Sequence, residues 1–352
     1  MIRNLLWFFR TFWISTTLSI LGIVVSLYYL GIGALWILIV LIAIEITFSF
    51  DNAVVNAKKL VHMSKFWQTL FLTVGIFIAI FGMRVFFPIA IVVFTAGIGW
   101  GEVVDLALNN PAVYAEKLEI AHPTISAFGG AFLLMLVLHF FFDHKKEIHW
   151  VQSIEKPLKK VGVWWVPPVL AVALVLLVSM LPANHHPEET IKAGLAGILV
   201  YSAIHGLTAF LGRHTPDGGK PGKAVQLTGW AAFTMFIYLE ILDASFSFDG
   251  VLGAFAITKE VVLIAVGLGI GAIWVRSLTV FMVRHGVLDA YKYLEHGAHY
   301  AIGVLAFAML GSLILPVPEA VTGLVGIGLI GASAYASVKA KNAATKPQKA
   351  HA

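Results

Sequence analysis

Long hydrophobic runs separated by short polar segments dominate the pattern of this chain. A helix needs about 20 mostly apolar residues to cross the hydrocarbon core of a bilayer. The first run lacks a small-residue cleavage site after it, so we interpret it as a span rather than a signal peptide. The pattern predicts an all-α polytopic membrane protein of about ten transmembrane helices, at 11–31, 33–56, 66–97, 124–142, 163–182, 191–211, 227–257, 261–283, 298–316 and 319–338.

The composition excludes several classes of protein. Of the 352 residues, 59% are hydrophobic and 12% are charged, and the mean hydropathy is +0.88. Soluble domains carry about 25% charged residues, so a soluble enzyme, a disordered chain and a nucleic-acid binder are excluded. The absence of cysteine from the sequence excludes disulfides and thiolate metal sites.

The basic residues predict the orientation of the chain. Nineteen of the 24 lysines and arginines fall in alternate inter-span segments and the termini, whereas Lys117, Lys192 and Lys259 fall on the opposite side and Arg84 and Arg276 within spans. Cytoplasmic segments of membrane proteins are enriched in Lys and Arg. Both termini are therefore expected in the cytoplasm.

A short motif occurs twice in the chain. Residues 45–52 read EITFSFDN and residues 243–250 read DASFSFDG. The copies lie in the second and seventh predicted spans, which are an odd number of spans apart, so they should run in opposite directions. This pattern is typical of inverted-topology repeats; a tandem duplication kept only for packing is the alternative. The predicted units are a first repeat at 1–182 with a linker at 143–162, a second repeat at 183–338, and a basic tail at 339–352.

Acidic residues near the middle of the membrane are the main candidate chemistry. A charge at the bilayer centre costs at least about 2.5–3.5 kcal/mol, and Arg84 and Arg276 cannot neutralise five acids. A bound cation would compensate for the remainder; structural ion pairs are the alternative for part of it. The five acids are Glu45, Asp51, Glu240, Asp243 and Asp249.

Helix geometry places a constraint on the motif. Asn52 falls on nearly the same face of a regular helix as Glu45, whereas Asp51 points about 120° away. The helix should therefore loosen near Ser49–Asp51, and Gly250 should allow a similar break in the second copy. The predicted oxygen ligands are Glu45, Asp51, Asn52, Glu240, Asp243 and Asp249 with Ser49 and Ser247, and the predicted charge partners are Arg84 and Arg276. Oxygen-only ligands suit Mn²⁺, Ca²⁺ or Mg²⁺ rather than copper or zinc.

Other polar residues carry weaker signals. His139 and Asp143 lie one turn apart at the inner end of span 124–142. They are candidates for a proton relay, with a pair placed at the membrane interface as the alternative. The sequence contains no phosphate-binding loop or nucleophile elbow, so transport driven by a gradient is expected rather than catalysis.

The stretches Glu45–Ala57 and Leu239–Val251 resemble the paired signature of the TerC family, in particular a longer bacterial branch described as a domain of unknown function. The resemblance covers about residues 30–335. It implies a multi-pass protein of the bacterial inner membrane, related to tellurium-resistance proteins and manganese exporters. The family's acidic positions correspond to Glu45, Asp51, Asn52, Glu240, Asp243 and Asp249.

These observations together predict a secondary transporter of divalent metal cations, with Mn²⁺ export favoured. The expected partners are the lipid bilayer and the metal ion, without nucleic acid. Two alternatives stay open. One is a membrane scaffold or stress-resistance subunit with a structural Ca²⁺ site, and the other is an intramembrane enzyme that uses paired aspartates.

Overall fold

A computed structural model describes residues 2–213, 226–258 and 260–345, which form helices and no β-strand. The chain is an all-α polytopic membrane protein. A π-helical segment, Ile78–Phe86, joins α3 to α4. The helices are α1 Ile2–Phe48, α2 Phe50–Leu60, α3 Lys65–Phe77, α4 Phe87–Ala96, α5 Trp100–Asn109, α6 Pro111–Phe142, α7 Gln152–Lys160, α8 Val166–Met180, α9 Pro187–Arg213, α10 Gly229–Ile257, α11 Val261–His285, α12 Val287–Ala290, α13 Leu294–Gly311 and α14 Glu319–Thr345.

Several of these helices have the length and apolar character of membrane spans. Within the described residues five qualify outright, and a sixth is added if the bent pair Gly31–Thr47 and Phe50–Leu60 is one span. The apolar helices Phe12–Tyr28 and Val166–Met180 are shorter. The total of ten spans stays a prediction, as do the two repeats as units and the cytoplasmic location of the termini. The five longer spans are Lys65–Phe94, Pro111–Phe142, Pro187–Leu207, Val261–His285 and Val321–Ala343.

Helix α1 consists of two helical segments that meet at Gly31, where the chain reverses direction. This residue has φ 76°, a left-handed conformation that glycine adopts without steric cost. Before it, Ser15 bonds Ser277 near the end of α11, and Gly22 packs against Ile270 earlier in that helix. After it, Leu41 packs against Gly267 and Glu45 against Gly271, in the opposite order. The two segments therefore run in opposite directions along α11, as two separate predicted spans require.

Helix α6 is longer than the apolar pattern predicts. It begins at Pro111, whereas the predicted span begins at residue 124, and α5 also occupies part of the intervening region. Proline is favourable at the first position of a helix because its missing N–H group has no intrahelical partner there. Hydropathy does not detect the polar first turns of α6, although their backbone hydrogen bonds continue into the apolar part.

Two apolar cores flank the repeated motif. The larger core includes Phe132 of α6, Val54 of α2 and Leu242 of α10. The smaller includes Leu41 of α1 and Leu268 of α11. Helix α2 packs against α10, α11 and α13, and α13 also packs against α6 and α14. The two motif copies consequently lie inside the bundle, at the boundary between the cores.

Candidate functional site

The first motif copy lies at a break between two helices. Helix α1 ends at Phe48 and α2 begins at Phe50, with Ser49 between them at φ −98° and ψ 11°. The helical segments on either side are bent by 46°. The predicted loosening near Ser49–Asp51 is therefore present. Asp51 falls in the first turn of α2, where the positive end of the helix dipole stabilises a carboxylate.

The second copy has no such break, and the prediction of one at Gly250 was wrong. Helix α10 is continuous from Gly229 to Ile257. A Cβ atom at Gly250 would lie 3.4 Å from Glu45 Oε2, so this glycine brings α10 close to the first copy. Its role here is close packing, because glycine permits a break without requiring one.

The two motif copies lie side by side and run in opposite directions. Asn52 Nδ2 donates a hydrogen bond of 2.6 Å to Asp243 Oδ1, while Glu45 lies opposite Gly250. The spacing of three and four residues puts the facing groups of α10 on one side of that helix over about 15 Å. We call this contact the polar seam. On one side it comprises Glu45 of α1, Ser49 at the break, and Asn52 and Asn56 of α2; on the other it comprises Glu240, Asp243, Ser247 and Gly250 of α10.

One end of the polar seam holds a buried ion pair. Arg84, from the π-helical segment, pairs with Glu45, and the two side chains are only 2% and 3% exposed. Arg84 Nη1 also donates to the Ala79 carbonyl at 2.7 Å. Ser49 Oγ donates to Glu45 Oε1 at 3.0 Å. The buried Glu45 carboxylate is thus compensated by Arg84 and Ser49. The Arg84 guanidinium is compensated by Glu45 and by the Ala79 carbonyl.

The other end holds a second arginine between two acids. Arg276 Nη2 lies 3.5 Å from Glu240 Oε1 and 3.4 Å from Asp243 Oδ2. The guanidinium carbon is 3.8 Å from the centre of the Phe71 ring, a cation–π contact. A Cβ atom at Gly75 would lie 2.6 Å from Glu240 Oε1, so glycine leaves the space that this group occupies.

Asp51 lies outside the two clusters that Arg84 and Arg276 form with the other acids. It is buried, and its Oδ1 accepts the N–H of Asn52 at 2.8 Å. It lines a cavity of about 40 Å³ together with Thr47, Phe246 and residues of α13 and α14. A cavity of this size has room for a water molecule, and Asp51 and two threonines are the polar side chains in a mainly apolar lining.

Four oxygen-bearing side chains of the polar seam are incompletely satisfied. Buried polar atoms almost always have hydrogen-bond partners, yet one oxygen atom in each of these side chains has no partner within the described residues. Asn56 was not among the predicted ligands; its position one turn after Asn52 was the available signal. The four atoms are Asn52 Oδ1, Asn56 Oδ1, Glu240 Oε2 and Ser247 Oγ.

The structure does not gather the predicted acids into one cluster. The described residues contain no group of three or more histidine or acidic side chains placed to hold a metal ion. The side chain of Asp249 lies outside the described residues. Convergence of Glu45, Asp51, Asp243 and Asp249 on one cation therefore stays a prediction, and the geometry places Glu45, Asp51 and Asp243 in three neighbouring groups.

The residues of the predicted proton relay lie at another cavity. The ring of His139 is 4.7 Å, centre to centre, from that of His205 on α9. Asp143 Oδ1 instead accepts the backbone N–H of Lys145 at 2.9 Å. Both His139 and Asp143 line a cavity of about 630 Å³. The structure brings a second histidine to His139, which the sequence did not indicate.

Glu155 lies in the linker after α6 and is buried beside this cavity, with 1% of its surface exposed. Its carboxylate lies 3.3 Å from His296 Nε2 and 3.1 Å from Lys146 Nζ, and it accepts the N–H of Val151 at 3.1 Å. Burial alone would raise its pKa, but these hydrogen bonds and positive charges outweigh it and lower the pKa of Glu155 to about 2.

Comparison with known proteins places the chain in a family. No solved structure matches it. The uncharacterized membrane protein YceF of Bacillus subtilis (strain 168) is 32% identical over 97 residues, which are 27% of this chain. The match spans only 37% of that relative's length. A family model described as "Protein of unknown function (DUF475)" matches residues 50–344. The chain belongs to this family, DUF475.

Proposed function

We propose that this protein is a secondary transporter of divalent metal cations, which pass through the polar seam. The excess of buried negative charge in the seam and at the neighbouring Asp51 carries this proposal. Glu45, Asp51, Glu240 and Asp243 are all buried, as are Arg84 and Arg276. If all six groups are ionised, two negative charges remain, and one divalent cation neutralises them. Leaving them uncompensated inside a membrane would be costly.

The chemistry of the free atoms supports a hard cation. The four unpartnered atoms of the seam are amide, carboxylate and hydroxyl oxygens. Mg²⁺, Ca²⁺ and Mn²⁺ bind such oxygens, whereas copper and zinc favour histidine and thiolate. Among the hard cations the resemblance to the TerC family favours Mn²⁺, with export from the cytoplasm as the direction.

The contacts between the motif copies support an inverted repeat. In the alignment of the copies Glu45 corresponds to Asp243, and Asn52 corresponds to Gly250. Glu45 contacts Gly250 and Asn52 contacts Asp243, so the contacts are exchanged between the copies. Exchanged contacts between antiparallel segments are what a pseudo-two-fold axis produces. In such transporters one repeat moves against the other around a site on this axis.

A binding experiment tests the metal site. Calorimetric titration of the purified protein with Mn²⁺ should give tight binding, and Asp51→Asn and Asp249→Asn should each weaken it at least about tenfold, because each removes a charged oxygen ligand. Asp105→Asn is the control, because Asp105 is exposed on α5. Undiminished affinity in both motif variants would contradict a metal site formed by the acids of the two motif copies.

A flux experiment separates transport from its alternative. Proteoliposomes that contain the protein should take up Mn²⁺, and a screen of Mn²⁺, Ca²⁺, Mg²⁺, Zn²⁺ and Fe²⁺ should rank the substrates. Loss of both binding and flux in Asp51→Asn would support the proposal. Metal-dependent stabilisation without flux of any of the five ions would contradict transport and favour a structural metal in a membrane scaffold.

A further inference from the structure

The cavity of about 630 Å³ beside His139 has walls from α2, α6, α9, α12, α13 and the linker that follows α6. We call it the lysine cavity. Its volume falls within the usual range of about 300–1,000 Å³ for small-molecule sites. Five lysines and three acids line it, namely Lys58, Lys59, Lys145, Lys146, Lys292, Asp143, Glu147 and Glu295.

Ion pairs account for only two of these lysines. Lys58 Nζ is 3.1 Å from Glu295 Oε2, and Lys146 Nζ is 3.1 Å from Glu155 Oε2. In the part of the chain that the structure describes, the other three have no carboxylate within ion-pair distance; these are Lys59, Lys145 and Lys292. Lys59 is partly buried, whereas Lys145 and Lys292 are exposed. Three ammonium groups from α2, the linker and the segment before α13 thus border one cavity without a direct ion pair, and the five lysines of the lining outnumber its three acids.

A buried histidine in the same wall is incompletely satisfied. His296 is 3% exposed, and its Nε2 lies 2.9 Å from the Ile148 carbonyl oxygen. Its Nδ1 is buried and has no hydrogen-bond partner among the described residues. Since buried polar atoms are normally partnered, this nitrogen is a second sign, besides the lysines, that the cavity accommodates a polar ligand.

We propose that the lysine cavity binds a multiply charged anion of the phosphate class. Three ammonium groups provide compact positive charges for such an anion, and the excess of lysines over acids in the lining disfavours a divalent cation. The cavity is therefore a different kind of site from the polar seam. A soluble phosphate compound and the phosphate headgroup of an anionic lipid share this chemistry, and the experiment distinguishes them.

Calorimetry with pyrophosphate in metal-free buffer tests the proposal. We expect the wild-type protein to bind pyrophosphate, with an affinity that falls as ionic strength rises. The variants Lys59→Gln, Lys145→Gln and Lys292→Gln should each weaken binding about tenfold, the usual effect of losing one charge-assisted hydrogen bond. Lys160→Gln, at an exposed position of α7, is the matched control and should bind normally.

A second measurement does not depend on the folding of variants. Pyrophosphate should protect Lys59, Lys145 and Lys292 of the wild-type protein from acetylation, whereas Lys160 should react equally with and without it. Pyrophosphate binding in phosphatidylcholine nanodiscs that persists in phosphatidylglycerol nanodiscs would identify a soluble ligand. Loss of that binding in phosphatidylglycerol would identify the lipid headgroup. No binding at millimolar pyrophosphate, or no protection of the three lysines, would overturn the proposal.

Discussion

Removing Arg84 should destabilise the protein far more than removing a surface lysine. The Arg84 and Glu45 side chains are 2% and 3% exposed, so Arg84→Gln leaves a carboxylate buried without its counter-charge. Breaking a buried pair in this way costs about 3–5 kcal/mol of unfolding free energy. The lost hydrogen bond to the Ala79 carbonyl adds about 1 kcal/mol. Total stabilities are only about 5–15 kcal/mol, so the loss should be a large fraction.

A double variant separates the effect of the uncompensated buried charge from the effect of lost packing. Glu45→Gln together with Arg84→Gln removes the uncompensated charge and keeps an acceptor for Ser49, so it should recover at least about 2 kcal/mol relative to Arg84→Gln alone. Titration with SDS in mixed micelles, followed by circular dichroism, measures the unfolding free energies. Lys192→Gln is the control, because its pair with Glu188 is exposed, and it should leave the unfolding curve unchanged. A double variant no more stable than Arg84→Gln would refute the reasoning.

Two further predictions use the same unfolding assay. Gly75→Ala should lower stability by about 1–3 kcal/mol, because the new methyl group would lie 2.6 Å from Glu240 Oε1; Gly33→Ala, with open space around it, is the control, and an equal loss in both would contradict the packing argument. Glu155→Gln should lose its disadvantage against the wild type as pH falls from about 5 towards 2, because the carboxylate of Glu155 is stabilising above its unfolded pKa near 4.5 and protonates in the folded state only at about 2. A difference that does not depend on pH would contradict the lowered pKa.

The sequence predicts the helical class of the fold well, because the bilayer itself imposes the pattern. Apolar runs of fixed length are the only way to satisfy a backbone in hydrocarbon, whereas polar helical turns outside the core leave no such trace. The extra turns of α6 from Pro111 are of this second kind. The reversal at Gly31 was marked only by the end of one apolar run, and its conformation became evident from the contacts with α11.

The candidate site was predictable in residue type and only partly in arrangement. Scarce carboxylates in an apolar chain identify Glu45 and Asp243 as candidates without any structure. The bond from Asn52 to Asp243 joins residues 191 positions apart, and no local pattern encodes which side chains of two antiparallel helices meet. The continuity of α10 at Gly250 shows the same limit, because tertiary packing decides whether a glycine bends a helix.

The packing of α1 on α11 has a consequence for the synthesis of the protein. Ser19 bonds Trp274 across 255 residues, and Ser15 bonds Ser277 across 262. At ribosomal rates of 5–20 residues per second, the segment of α1 before Gly31 waits roughly 10–50 seconds for α11 to be made. During that interval its polar and small residues face lipid or the insertion machinery. The segment of α1 before Gly31 is thus among the last to find its native neighbours, and truncated chains that stop before α11 should be early targets for membrane proteases.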